Sequence, residues 1–162
     1  MANPKTITKP RTKVKTSKNK YQEDADLIDF VISKEGFLNN PQDIGDGKIT
    51  LGSGLTDPRW HALYKKRGNV WSKEDNRMAV SDELSKRRTW AEKNFPNWND
   101  IHPDSQKALL SYKYNYDFTE KNSPKMFQAA REKRWKDVAA QMDATSKNPK
   151  FAKGLLNRRK EE

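Results

Sequence analysis

A mostly helical chain with one short β segment in its first third is what this sequence predicts, on three observations. Apolar residues recur at helical spacing up to residue 35 and again beyond residue 57. Between these stretches Gly45, Gly47, Gly52 and Gly54 punctuate a run too rich in glycine to be helical core. Further on, cap residues and prolines mark helix starts at Ser72, at Pro103 and at Ser123-Pro124. The 162 residues fit one domain of ordinary size. Only 33% of them are hydrophobic, so five Trp, five Tyr and six Phe have to anchor the core.

Residues 1–21 read as a basic arm. The first twenty carry seven Lys or Arg and no acid, which leaves only +4 of the net +11 for the rest of the chain. So few apolar residues cannot bury enough surface to fold alone, and such an arm suits a solvated leader or attachment to a polyanion. No apolar stretch of the roughly 7–15 residues that a secretory signal needs follows the charged start. The densest apolar run, Leu27 to Ile32, is too short to span a bilayer.

Residues 22–162 then read as one folded unit. Glu23 to Glu35 is a helix, with Leu27 and Val31 in phase with Glu35 and with Ile28, Phe30 and Ile32 widening the apolar face. Gly36 stands where a C-terminal cap glycine belongs. Asn39 to Gly54 is loop and short strand: Asp46-Gly47 signals a hairpin turn, and Lys48 to Ser53 alternate like a brief strand. Asp57-Pro58 opens a short helix carrying Trp60, Leu63 and Tyr64. Ser72 with Asp75 forms a capping box for a long helix that Pro96 closes near Asn94. Pro103 to about Tyr116 is the core helix, with Ala108, Leu109, Tyr112 and Tyr116 on its inner face and Asn115 near its end. Ser123-Pro124 starts a helix using Phe127, Ala130, Trp135, Val138 and Met142, with a break near Arg134. After Pro149 a last short helix carries Leu155, Leu156, Arg158 and Arg159.

Chemistry concentrates in Glu35 to Thr50, where three carboxylates (Glu35, Asp43 and Asp46) and the Thr50 hydroxyl lie within sixteen residues. Glu35 is in phase with a buried stripe and at the negative end of a helix dipole, and both placements favour its protonated form. An acid placed against local preference is a candidate proton donor, so this is the material of a carboxylate-based hydrolase. With no cysteine there is neither a disulfide framework nor a thiolate metal site, and two distant histidines do not make a metal centre. Gly52 and Gly54 lack the following Gly-Lys-Ser/Thr or ribose acid of a phosphate loop. No cofactor is expected.

The order of these motifs resembles the phage-type lysozymes, the muramidases of glycoside hydrolase family twenty-four. Glu35-Gly36 resembles the family's Glu-Gly helix end, and Thr50-Leu51-Gly52-Ser53-Gly54-Leu55 its Thr-Ile-Gly-Tyr-Gly-His-like strand, at the family's usual Glu-to-Thr separation of fifteen. Gln106 to Tyr112 with Asn115, Arg134 to Ala140, and Gly154 to Arg159 resemble three downstream motifs in the same order. The resemblance implies an α+β fold, lysozyme-like, with a small lobe bearing a short hairpin sheet, a larger helical lobe and a cleft between them. It implies hydrolysis of the β-1,4 bond between N-acetylmuramic acid and N-acetylglucosamine in peptidoglycan. Glu35 takes the general-acid role on this match, and Thr50 helps the loop aspartate hold a water on the opposite face of the sugar. Inverting chemistry of this kind places its two carboxyls roughly 6.5–9.5 Å apart. Asn115 and Arg158 match supporting positions, and Arg158 or Arg159 is a candidate cation for Glu35.

Two positions depart from the pattern. The family's aspartate lies nine residues after the glutamate, where this chain has Ile44, so Asp43 is the favoured second carboxylate and Asp46 the alternative. Leu55 stands where many members carry His. A glycan-binding module that has lost cleavage is therefore the second reading, and a nucleic-acid-binding protein using the basic arm is the third and least favoured. The leading reading expects a monomer acting on glycan strands, with the arm bound to an anionic envelope or virion component. It also expects accumulation in the host cytoplasm before release, or association with the virion.

Overall fold

The computed structural model describes residues 20–145, and of these the side chains of residues 25–142. Helix α1, Lys20–Glu35, begins three residues before the expected start and so takes in the end of the stretch read as arm. Leu27, Ile28 and Val31 are buried, while Phe30 stays 38% exposed beneath the Lys34 ammonium instead of joining the core. Gly36 adopts φ 73° and donates its N–H to the Ile32 carbonyl, ending the helix as a left-handed cap.

Where a loop was expected after Gly36, the chain forms a strand, β1, Leu38–Asp43. Its sequence LNNPQD has little strand propensity, and Pro41 would normally argue against it. A two-stranded sheet is all edge, so a missing N–H costs little, and the pairing to β2, Ile49–Gly52, carries the strand. The ladder is antiparallel, with Leu38 opposite Gly52, Gln42 opposite Thr50 and Asp43 opposite Ile49, and with an irregularity between Leu38 and Gln42. The expected Asp46-Gly47 turn is part of a longer connection from Ile44 to Lys48. A backbone bridge between Leu51 and Leu55 folds the end of β2 back on itself, and both leucines are buried.

Five further helices follow among the described residues. Helix α2, Pro58–Lys66, is capped by Asp57. Helix α3, Lys73–Asn94, opens on a capping box in which Ser72 and Asp75 satisfy each other's backbone N–H. A 3-10 turn at Trp98–Asp100 leads to α4, Pro103–Asn115. The inner face of α4 is wider than its apolar pattern: Ser105, Leu109, Leu110, Ser111, Tyr112 and Tyr114 are buried, while Ala108 and Tyr116 are only partly so. The last two, α5, Pro124–Arg131, and α6, Trp135–Thr145, are separated near Arg134, with Lys133 in the left-handed region at the break.

The helical core is aromatic. Phe95, Phe118 and Phe127 are at most 2% exposed and meet Trp90 and one another at ring separations of 4.9–6.4 Å. Such pairs add about 1 kcal/mol each beyond area burial. This cluster ties α3 and α4 to α5, while α1 packs on α3 and α4. The result is a mostly helical α+β fold, with the hairpin and the end of α1 on one side of the long α3–α4 pair. No described helix is long and apolar enough to cross a membrane. The expected helix carrying Leu155, Leu156, Arg158 and Arg159 lies outside the described residues.

Candidate active site

Glu35 is the last residue of α1, and its carboxyl lies against the end of the hairpin. A Cβ on Gly54 would stand 3.2 Å from Glu35 Oε2 and 3.4 Å from Tyr114 Cε1. The missing side chain therefore makes the space that the carboxylate occupies. At φ 78° the same position is left-handed, so glycine is required twice over. Glu35 is half-buried, and desolvation raises its pKa above the ordinary value of 4.5; a hydrogen bond with the Asn115 side chain, from the end of α4, opposes that rise. The expectation of a protonated-leaning acid rests here on burial and on geometry together.

Gly54 is held by a buried polar hub that the sequence reading missed. The Ser53 hydroxyl donates to the Gly36 carbonyl at 2.5 Å, and Asn76 Nδ2 donates to Ser53 Oγ at 2.9 Å. Asn76 Oδ1 in turn accepts the Ser53 N–H at 2.9 Å, and the Tyr114 hydroxyl donates to the Ser53 carbonyl at 2.7 Å. Ser53 is 0% exposed and Asn76 1%. Gly52 is what lets α3 come so close, since a Cβ there would sit 2.1 Å from Asn76 Oδ1. A signal existed in the sequence: Asn76 is in helical phase with Ala79, Val80 and Leu84, and a polar residue on an apolar stripe needs a partner.

Behind the hub, the Arg87 guanidinium lies 4.7 Å from the centre of the Tyr114 ring and pairs with Glu83 at 2.8 Å. Glu83 also accepts from Arg59 at 2.6 Å and from Trp60 Nε1 at 3.0 Å, joining α2 to α3. Burial of Tyr114 raises its hydroxyl pKa, which favours the neutral phenol that donates to the Ser53 carbonyl.

The hairpin residues sit differently from Glu35. Asp43 Oδ1 accepts the backbone N–H groups of Gly45 at 2.8 Å and Gly47 at 3.3 Å, and Asp46 Oδ1 accepts that of Lys48 at 3.0 Å. Both aspartates thus organise the connection, and having a turn to hold does not distinguish Asp46 from Asp43. Both are exposed. Thr50 is 3% exposed on β2 beside Gln42, one rung from the Asp43–Ile49 pair, so Asp43 and Thr50 lie at different depths of the sheet. Ile44, at the position of the family's aspartate, is 61% exposed, and Leu55, at the position of its histidine, is 1% exposed in the core. Asn115 is brought to Glu35; Arg158 and Arg159 lie outside the described residues.

A half-dry glutamic acid closing a helix, faced by a glycine-edged hairpin within a mostly helical α+β fold, is the arrangement of the lysozyme-like class. The phage lysozyme family model matches residues 32–162, and the chain belongs to that family. It is a phage-type, peptidoglycan-degrading lysozyme. No match was found among curated proteins or among solved structures.

Proposed function

We propose that the chain is a muramidase cutting the β-1,4 bond between N-acetylmuramic acid and N-acetylglucosamine with inversion, and that Glu35 is its general acid. The observation that carries this reading is the Glu35 carboxyl itself: half-buried, raised in pKa, oriented by Asn115 and given space by Gly54. Its proton passes to the glycosidic oxygen as the bond to the anomeric carbon breaks. Water attacks that carbon from the other face and gives up its proton to a carboxylate, for which Asp43 is the first candidate. Asp43 Oδ1 holds the connection between the strands, while Oδ2 takes part in no hydrogen bond among the described residues. The family resemblance assigns Thr50 to help hold that water, although on β2 it is buried one rung away from Asp43. The enzyme works as a monomer on glycan strands, with the basic residues ahead of α1 attaching it to an anionic envelope or virion component and the rest of the chain doing the cutting. It either waits in the host cytoplasm for release or travels with the virion.

The test is digestion of purified peptidoglycan by the wild type and by Glu35→Gln. Reduced products are read by mass spectrometry and the fresh anomer by NMR. New muramic acid reducing ends in the inverted configuration, from the wild type alone, are the expected result. Ile44 in place of the family's aspartate favours a second reading, glycan binding without cleavage. Binding to sacculi with no new reducing ends from either protein would establish that reading instead.

A further inference from the structure

Two buried polar side chains near Glu35 depart from ordinary packing: Asn76, an amide near the start of α3, and Ser53, a wholly buried hydroxyl between two left-handed glycines. Their bonds orient each other. Asn76 Oδ1 accepts the Ser53 N–H, so its Nδ2 is turned toward Ser53 Oγ. Because Oγ is already accepting that donor, its own hydrogen is directed to the Gly36 carbonyl. Gly36 directly follows Glu35 and is the glycine that caps α1. One amide on α3 thereby ties the hairpin to the terminus that carries the acid.

We propose that Ser53 and Asn76 are a positioning pair, pinning the Gly36 carbonyl so that the Glu35 carboxyl stays seated between Gly54, Tyr114 and Asn115. The proposal rests on Glu35 being the acid for the rate it predicts, though not for the geometry. Helix termini fray, and a glycine cap on an exposed turn opens readily to water. The hydroxyl clamp keeps the last turn closed, and with it the partial dryness of the acid. Besides Asn115, the groups facing Glu35 are Tyr114 on α4 and, behind that ring, Arg87 and Glu83 of α3, which are paired with each other. A displacement of about 1 Å at a reacting group costs up to a hundredfold in rate.

The experiment compares the full chain with Ser53→Ala, Ser53→Cys and Ser105→Ala. The last removes a buried hydroxyl at the start of α4, about 15 Å along the helix from Asn115. The Glu35 carboxyl is titrated by carbon NMR, and kcat and KM are measured on peptidoglycan. Ser53→Ala is expected to lower kcat at least tenfold with little change in KM. It should also bring the Glu35 pKa down toward the ordinary glutamate value. Ser53→Cys, a weaker donor of similar volume, should fall between Ser and Ala, and it carries the test by itself where Ser53→Ala does not fold. Ser105→Ala should leave both readouts as in the wild type. A wild-type titration in Ser53→Cys, or a titration that Ser105→Ala moves equally, overturns the pair's role. Because the titration needs no turnover, a wild type that fails to cleave would refute the muramidase reading and leave this result to be judged on its own.

Discussion

At Glu35 two influences oppose each other. Desolvation favours the protonated acid, and the hydrogen bond with Asn115 favours the carboxylate; desolvation is the larger, so the folded-state pKa is raised. The consequence for stability has a definite sign. A raised acid contributes fully below its unfolded value near 4.5, and that contribution is lost as pH rises through the folded value. Glu35→Gln removes the ionisation penalty. Its Tm should therefore match the wild type below pH 4.5 and exceed it at neutral and alkaline pH, as thermal melts across that range would record. A variant that is never more stable above pH 7 would mean that the carboxyl is not held dry. The two aspartates can be separated by activity. Asp43→Asn should cut kcat by at least a hundredfold, while Asp46→Asn, whose amide oxygen can still accept the Lys48 N–H, should stay within a few-fold of wild type. Equal activity of Asp43→Asn and wild type would show that Asp43 serves only the turn.

Among the elements, α3 does the organising. Its N-terminal half delivers Asn76 to the hairpin, its middle carries Glu83 and Arg87, and its end places Trp90 in the aromatic cluster. Burial pushes the Glu83 carboxyl up, but hydrogen bonds from Arg87, Arg59 and Trp60 outweigh it and hold the pKa at about 2. A depressed acid stabilises the fold above its ordinary pKa of 4.5, and the contribution disappears as pH falls toward 2. Glu83 is 14% exposed on its side chain, so screening by water is limited. Glu83→Gln should cost about 2 kcal/mol at pH 7, and the loss should vanish between pH 4.5 and 2 in urea titrations. A pH-independent loss would point to packing and not to charge. The helices were legible in the sequence because their ends are written locally: Asp57-Pro58 and Ser72 with Asp75 begin the elements they were read to begin. Strand β1 was not, because Asn39, Asn40 and Pro41 carry no strand signal, and the ladder to β2 supplies what propensity does not.

For the whole molecule, charge is the property that composition states most directly. Seven of the Lys and Arg lie in the first twenty residues without an acid. A chain lacking residues 1–19, cut just before α1, should keep its Tm and its cleavage of soluble glycan fragments. It should also lose the salt-sensitive part of binding to intact sacculi. Equal retention of both chains at low salt would remove the arm from envelope attachment. The sequence by itself determined the helix order, the acid that ends α1 and the order of motifs that places the chain among phage lysozymes, because each of these is encoded over a few neighbouring residues. Only the tertiary structure decided how Glu35 is housed. Ser53, Asn76 and Tyr114 are separated by 23 to 61 residues along the chain, and no local period brings them together. Two glycines without side chains and the packing of α3 and α4 across the hairpin do so, because a buried hydrogen-bond donor must find its acceptor wherever the fold provides one.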